Sequence, residues 1–347
     1  MSHEPTSVRR SLPVVHGTRE ARSESTAVER TQPGSVRLSL TDRCDLACIY
    51  CRPNKQDGYF EATLEPSALR TLLLGLKQGG VRRVRITGGE PLLYAGVVDA
   101  VRTIREVGFE DVALTTNATR LEKLAAPLRE AGLERINVSL DTLDAERFAR
   151  MTRGGKLAPV LAGLDAALAL GFREVKLNCV VVRGENDDEL VTLTEYAWAR
   201  GIVPRFLEIM AIGEGAKVQD RIVGYAEMRE KLGTLLVPDD GARDPDRGPA
   251  KYVRARRDPG LRVGFITGTT DTYCKGCDRL RVAADGTLRP CLATSDGVSA
   301  ADAARSGTAE HVADRLREAW SKKPDGETFR GCTEPSAAEV SIRKIGG

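Results

Sequence analysis

One short strand followed at once by three cysteines constrains this chain more than any other feature. Residues 36–40, Val-Arg-Leu-Ser-Leu, alternate apolar and polar as a strand does, and Cys44, Cys48 and Cys51 come directly behind them. Three thiolates on one loop can hold a metal centre but leave it a ligand short. A structural zinc site takes four protein ligands, and an iron–sulfur cluster four thiolates. The trio therefore implies either a fourth ligand from far along the chain or a cluster with one iron open to a small molecule. The plainer alternative is three buried or zinc-bound cysteines. Cys274, Cys277 and Cys291 repeat the count with the spacing C-x2-C-x13-C. Residues 280–284 and 287–292 around Asp285-Gly286 carry a hairpin signal, which would return Cys291 to the first pair. Cys332 is available as a fourth ligand, which would make the second site zinc or a closed cluster.

Eight cysteines in 347 residues, six of them in two tight groups, read as metal ligands in a reducing compartment and not as a disulfide frame. A cytoplasmic location is expected. The three histidines are His3, His16 and His311, so chemistry on a histidine base or a His-rich zinc site is disfavoured. A net charge of +3 is too small to argue for nucleic acid. No run of eighteen apolar residues and no N-terminal apolar h-region occurs, so neither a membrane span nor a secretory signal is expected.

Residues 1–33 are rich in Ser, Thr, Glu, Arg and Pro without periodicity and are expected to form a disordered tail. Strands and helices then alternate. Strands are expected at 36–40, 82–87, 111–116, 135–140, 174–182 and 203–210. Helices are expected at 66–78, 94–107, 121–131, 157–170 and 187–200. Six strands separated by helices mean a parallel sheet, and right-handed crossovers curl it into a full or partial barrel. After Met210 the rhythm breaks: a helical stretch near 225–236, a strand pair at 252–257 and 261–267, the cysteine hairpin, and a helix near 309–321. The expected division is a barrel over 34–212 and an extension over 213–347.

A packed barrel interior should be aliphatic. Here one face of most strands is polar, and because helices must cover the outer face, the polar one would line the lumen. Its cations are Arg37, Arg83, Arg85, Arg135 and Lys176, with Arg205 joining them. So many cations around one hollow repel one another unless a polyanion sits among them, or unless nearby acids pair with them.

Taken together, SLTDRCDLACIYC, RVRITGGEPL, TTNAT, RINVSLDTL, VKLNCVVVRGEND, RFLEIM, YCKGCDRLRVAADGTLRPCL and the terminal Gly-Gly resemble the GTP 3′,8-cyclase family of molybdenum cofactor biosynthesis. That family lies within the radical S-adenosylmethionine (SAM) superfamily, and the resemblance covers about residues 36–347. It implies an α/β fold, a partial (β/α)6 TIM-like barrel with a C-terminal extension carrying a second iron–sulfur cluster. It implies two 4Fe–4S clusters, held by Cys44, Cys48 and Cys51 and by Cys274, Cys277 and Cys291, with SAM on the open iron of the first and guanine on that of the second. Tyr50, Arg85, Gly89, Ser139 and Met210 would bind SAM. Arg37, Arg83, Thr115, Lys176, Arg205, Arg279 and Arg281 would bind GTP, with Thr115 near SAM as well. No catalytic side chain beyond the cofactor ligands is implied. The activity would be that of a lyase. An electron from the first cluster would cleave SAM to methionine and a 5′-deoxyadenosyl radical, which would abstract H3′ of GTP; C3′ would attack C8 to give, after one further electron and a proton, (8S)-3′,8-cyclo-7,8-dihydroguanosine 5′-triphosphate. A homodimer, a flavodoxin or ferredoxin as reductant, and no nucleic-acid or membrane partner are implied as well. The alternative is a sister radical SAM enzyme acting on another nucleotide or on a peptide. Three departures bear on the substrate: Asp278 where Asn is usual, Asn117-Ala118 where the family has TTNG, and Arg52-Pro53-Asn54 in place of Met-Pro.

Overall fold

A computed structural model describes residues 32–52, 58–60, 63–238, 242–243, 248–274, 276–294, 296–324 and 342. The N-terminal tail with His3 and His16, Cys332, and the terminal Gly-Gly lie outside these residues. Six strands run as expected: β1 (Ser35–Ser39), β2 (Arg83–Thr87), β3 (Asp111–Thr116), β4 (Arg135–Ser139), β5 (Glu174–Val181) and β6 (Val203–Glu208). They pair in parallel, each with the next. Between them lie α1 (Pro66–Gln78), α2 (Val97–Val107), α3 (Leu121–Glu130), α4 (Ala145–Met151), α5 (Leu157–Ala169) and α6 (Leu190–Trp198). The seven-residue α4 was not expected; Asp144 caps it by accepting from Arg147 N at 2.7 Å.

Helix α1 shows how local sequence builds the outer layer. Pro66 sits at its first position, and Leu69, Leu72, Leu73 and Leu76 form one apolar stripe, all buried. That stripe packs on the outward face of the sheet, where Val36, Leu38, Val84, Ile86, Leu114, Ile136 and Val138 meet it and its neighbours in one continuous core. Each such fully buried side chain contributes about 1.5–3 kcal/mol of transfer free energy.

Beyond β6 come α7 (Tyr225–Leu232), β7 (Ala242–Arg243), β8 (Lys251–Arg254), β9 (Arg262–Ile266), β10 (Arg279–Val282), β11 (Thr287–Arg289), β12 (Val298–Ser299), α8 (Ala301–Arg305) and α9 (Ala309–Ser321). The expected strand pair is β8–β9, and the expected hairpin is β10–β11, turning at Gly286. Both do more than the sequence shows. β9 joins β6 in parallel and β10 joins β1 in parallel, so the six-stranded core gains a parallel strand on each edge. Among the described residues all twelve strands form one sheet, β12-β11-β10-β1-β2-β3-β4-β5-β6-β9-β8-β7. No helix among them is long and apolar enough to cross a membrane.

Candidate functional site

The sheet curls around a cavity of about 280 Å³, lined by inward residues of all eight parallel strands. Ser35 and Arg37 come from β1, Arg83 and Arg85 from β2, Thr115 from β3, Asn137 and Ser139 from β4, Asn178 and Val180 from β5, Arg205 and Leu207 from β6, Ile266 from β9, and Arg279 and Arg281 from β10. The polar-inward expectation therefore holds, and its cause is the two-residue period of a strand.

The first cysteine loop closes one part of this cavity, with Cys44, Cys48, Tyr50 and Cys51 on the wall. It is tied down along its length. Gly89 N donates to Thr41 O at 2.8 Å and Glu90 N to Arg43 O at 2.7 Å. Ala47 N and Ile49 N donate to Thr152 O and Met151 O. Tyr50 Oη donates to Asp141 Oδ2 at 2.6 Å, and Val180 N holds the other oxygen of that carboxylate at 2.8 Å. A Cβ on Gly89 would stand 2.3 Å from Arg43 O, and one on Gly88 2.2 Å from Thr41 O. The glycine pair is therefore needed for close backbone approach to the cysteine loop, beyond making a turn.

Glu90 and Asp141 frame this loop and were not singled out from sequence, although GGEP and the alternation ending in Asp141 contain them. Glu90 accepts from Thr116 Oγ1 at 2.6 Å, Asn117 N at 2.7 Å and Leu92 N at 2.9 Å. Burial lifts its carboxyl to about 7 against these bonds, and lifts that of Asp141 to about 6. Burial, with nearby acid and thiol charges, pushes Cys44 up to about 12 and Cys48 well above its ordinary value.

The second trio adjoins the cavity wall. Its sequence neighbours Tyr273, Asp278 and Arg279 line the cavity, while the three cysteines do not. The hairpin brings Cys291 back, and the charges of Cys277 and Cys291 follow burial as causes that raise Cys274 to about 11. Burial also opposes ionisation of Cys277, yet Arg279 and Lys323 outweigh it and bring that thiol down to about 7. Arg279 Nε donates to Cys277 Sγ at 3.3 Å. Ile342 reaches the cavity and packs by Met210, Ile212 and Cys291. No disulfide joins any of the described cysteines, and the six of the two trios are half-buried. Burial and neighbouring negative charge hold the thiols of Cys44, Cys48 and Cys274 protonated, while Arg279 and Lys323 favour the thiolate of Cys277; a positively charged iron–sulfur core would ionise such a donor set. The residues fit two such groups.

The cations divide into two sets. Arg37, Arg52, Arg83, Arg85, Arg205, Arg279 and Arg281 line the cavity. Burial, then Arg281 and Arg279, depress Arg37 to about 9, and burial brings Arg281 to about 10. Arg205 is held by Asn178 at 2.8 Å and Asn137 at 2.7 Å, two amides of the polar strand faces to which the sequence assigned no role of their own. Arg83 bridges to Asp278. By contrast, Arg135 and Lys176 are not on the cavity wall. Arg135 bridges Asp111 at 2.7 Å and Glu174 at 2.6 Å, and Lys176 bridges Glu174 at 2.9 Å. Arg85 belongs to both sets, through Asp111 at 2.5 Å. Met210 lines the cavity with Tyr273 Oη donating to its sulfur at 3.3 Å. His311 is exposed on α9, away from any such cluster.

The sequence matches the Radical SAM superfamily over residues 38–197 and the Molybdenum Cofactor Synthesis C family over 202–329. A GTP 3′,8-cyclase of Pelotomaculum thermopropionicum is 40% identical over 84% of this chain and 91% of its own. One of Pseudomonas fluorescens is 38% identical over 85% and 90%. Among solved structures, Streptococcus suis SuiB bound to S-adenosylmethionine superposes with a TM-score of 0.64 at 16% identity, over 91% of this chain and 72% of that one, a likeness of fold.

Proposed function

The chain belongs to the GTP 3′,8-cyclase family of radical SAM enzymes, which carry two 4Fe–4S clusters, and on that premise we propose that it converts GTP to (8S)-3′,8-cyclo-7,8-dihydroguanosine 5′-triphosphate in molybdenum cofactor biosynthesis. The observation that carries this reading is seven arginines on the wall of one cavity that also exposes a cysteine trio. Four of the seven are contributed by only two strands, β2 and β10, which flank β1 on either side, and their mutual repulsion is relieved by a triphosphate.

Cys44, Cys48 and Cys51 would hold the first cluster, and Cys274, Cys277 and Cys291 the second. With SAM bound, the first supplies one-electron hydrogen-abstraction chemistry. The protein's part is placement. Tyr50, Gly89, Ser139, Met210 and Arg85 surround the SAM side of the cavity. Arg37, Arg83, Thr115, Arg205, Arg279 and Arg281 take the substrate, so that the ribose meets the reacting group in one orientation. Lys176, paired with Glu174 on the inward face at the start of β5 and off the cavity wall, supports the substrate site from there. The curled strands exclude water and give the site a rigid support. We retain the division into a barrel over 34–212 and an extension over 213–347, the latter lending β9 and β10 to the barrel. The same reading carries a flavodoxin or ferredoxin as reductant, a homodimer and a cytoplasmic location, the last supported by thiol sites that oxidation would destroy.

The test is anaerobic incubation of the reconstituted protein with SAM, reductant and each nucleoside triphosphate in turn. Release of 5′-deoxyadenosine with GTP and not with UTP is expected. Deuterium placed at C3′ of GTP should appear in that product; its absence there rejects the abstraction site.

A further inference from the structure

Lys323 lies just past α9 and belongs to neither cysteine group, yet its ammonium bridges the two chain segments that carry the second. A lysine at a helix end ordinarily turns to the last carbonyls of its own helix. Here Nζ donates to Arg279 O and to Pro290 O, each at 2.7 Å. The first carbonyl is two residues past Cys277, and the second immediately precedes Cys291. The β10–β11 ladder ends at the Arg281–Arg289 pair, on the turn side of both acceptors. The ammonium thus stands where the next rung would be, at the open end of the hairpin. The ring of Trp320, 5.0 Å from Nζ, steadies the side chain.

The two trios also differ in electrostatic setting. Around the first stand Asp45, Glu90 and Asp141. Around the second stand Arg279, whose Nε donates to Cys277 Sγ at 3.3 Å, and the ammonium of Lys323.

We propose that Lys323 is a positioning residue of the second cysteine trio, clamping the open end of its hairpin and holding a positive charge against its thiolates. The proposal rests on the two-cluster reading given above. A reduced cluster carries one more negative charge than an oxidised one, so a nearby ammonium favours reduction. Removing it should loosen the ligand set and move the second cluster's midpoint potential to more negative values.

The experiment uses the full chain, reconstituted anaerobically, as wild type, Lys323→Met and Lys323→Arg. Iron and sulfide are counted after desalting. The midpoint of the second cluster is followed by electron paramagnetic resonance in a background with Cys44, Cys48 and Cys51 changed to Ser. The wild type should hold about eight irons. Lys323→Met should either lose about half of them or keep them with a more negative midpoint, and Lys323→Arg should restore the wild-type values. Where Met loosens the whole fold by circular dichroism, Lys323→Gln removes the charge while keeping a donor, and its midpoint should still fall. Full iron with an unchanged midpoint in the Met or Gln variant overturns the proposal. A wild type holding zinc, or only about four irons, would instead overturn the two-cluster reading.

Discussion

At the scale of single residues, the site depends on contacts with no room to spare. Gly89 brings its backbone against the carbonyls of Arg43 and Asp42, where a methyl group would stand 2.3 and 2.8 Å away. Gly89→Ala should displace the first cysteine loop, so iron counting should show loss of about half the metal while the second cluster's spectrum survives. Arg83 and Asp278 form a half-buried ion pair on the cavity wall, and Asp278 is itself one of the departures from the family pattern. On the proposed function, the carboxylate holds a guanidinium that would otherwise follow the triphosphate of the substrate. A double-mutant cycle with Arg83→Met and Asp278→Asn, read in KM for GTP, should show a coupling of about 1–3 kcal/mol. Additive effects would mean that the two act independently. The sequence exposed these residues by type, whereas their pairing depends on β2 and β10 both flanking β1, which no local pattern reveals.

At the scale of elements, β2 to β5 carry a chain of ion pairs on the inward face: Arg85, Asp111, Arg135, Glu174 and Lys176. Burial opposes the charge on Asp111 and Glu174, but their cation partners prevail and hold both carboxyls near 2. A carboxyl depressed in the folded state adds stability that is complete above its unfolded value, about 4, and is lost as pH falls through the folded one. The protein should therefore lose a few kcal/mol, on the order of 2–3 per carboxyl, between about pH 4.5 and 2. Urea midpoints against pH should show this, and Asp111→Asn should flatten the slope. From sequence, all inward cations were candidates for the lumen. Arg135 and Lys176 proved otherwise because Asp111 and Glu174 share their face at the starts of β3 and β5, a matter of strand register.

At the scale of the whole molecule, the extension is built into the barrel. Besides lending β9 and β10, it lays α9 across α1, with Val312, Ala313, Leu316 and Ala319 buried. Gly75, inside α1, is a point of close approach: a Cβ there would meet Val312 Cβ at 2.4 Å and Ala309 O at 2.5 Å. Helix propensity alone favours Gly75→Ala by about 0.5–1 kcal/mol. The clash should reverse that sign and cost a net 1–3 kcal/mol, seen as a lower thermal midpoint. A stabilised variant would show that α9 yields easily.

By itself, the sequence determined the six alternating strands, their polar inner faces, the two cysteine trios and the hairpin that folds Cys291 back, because each is written in a period of two, a helical stripe or a turn within a few dozen residues. Tertiary structure alone decided that β9 and β10 close on β6 and β1, that Glu90 and Asp141 anchor the first cysteine loop, and which cations face the hollow and which are spent on acids. Those outcomes depend on which distant strands become neighbours and in what register, and pairing between segments far apart in the chain leaves no local trace.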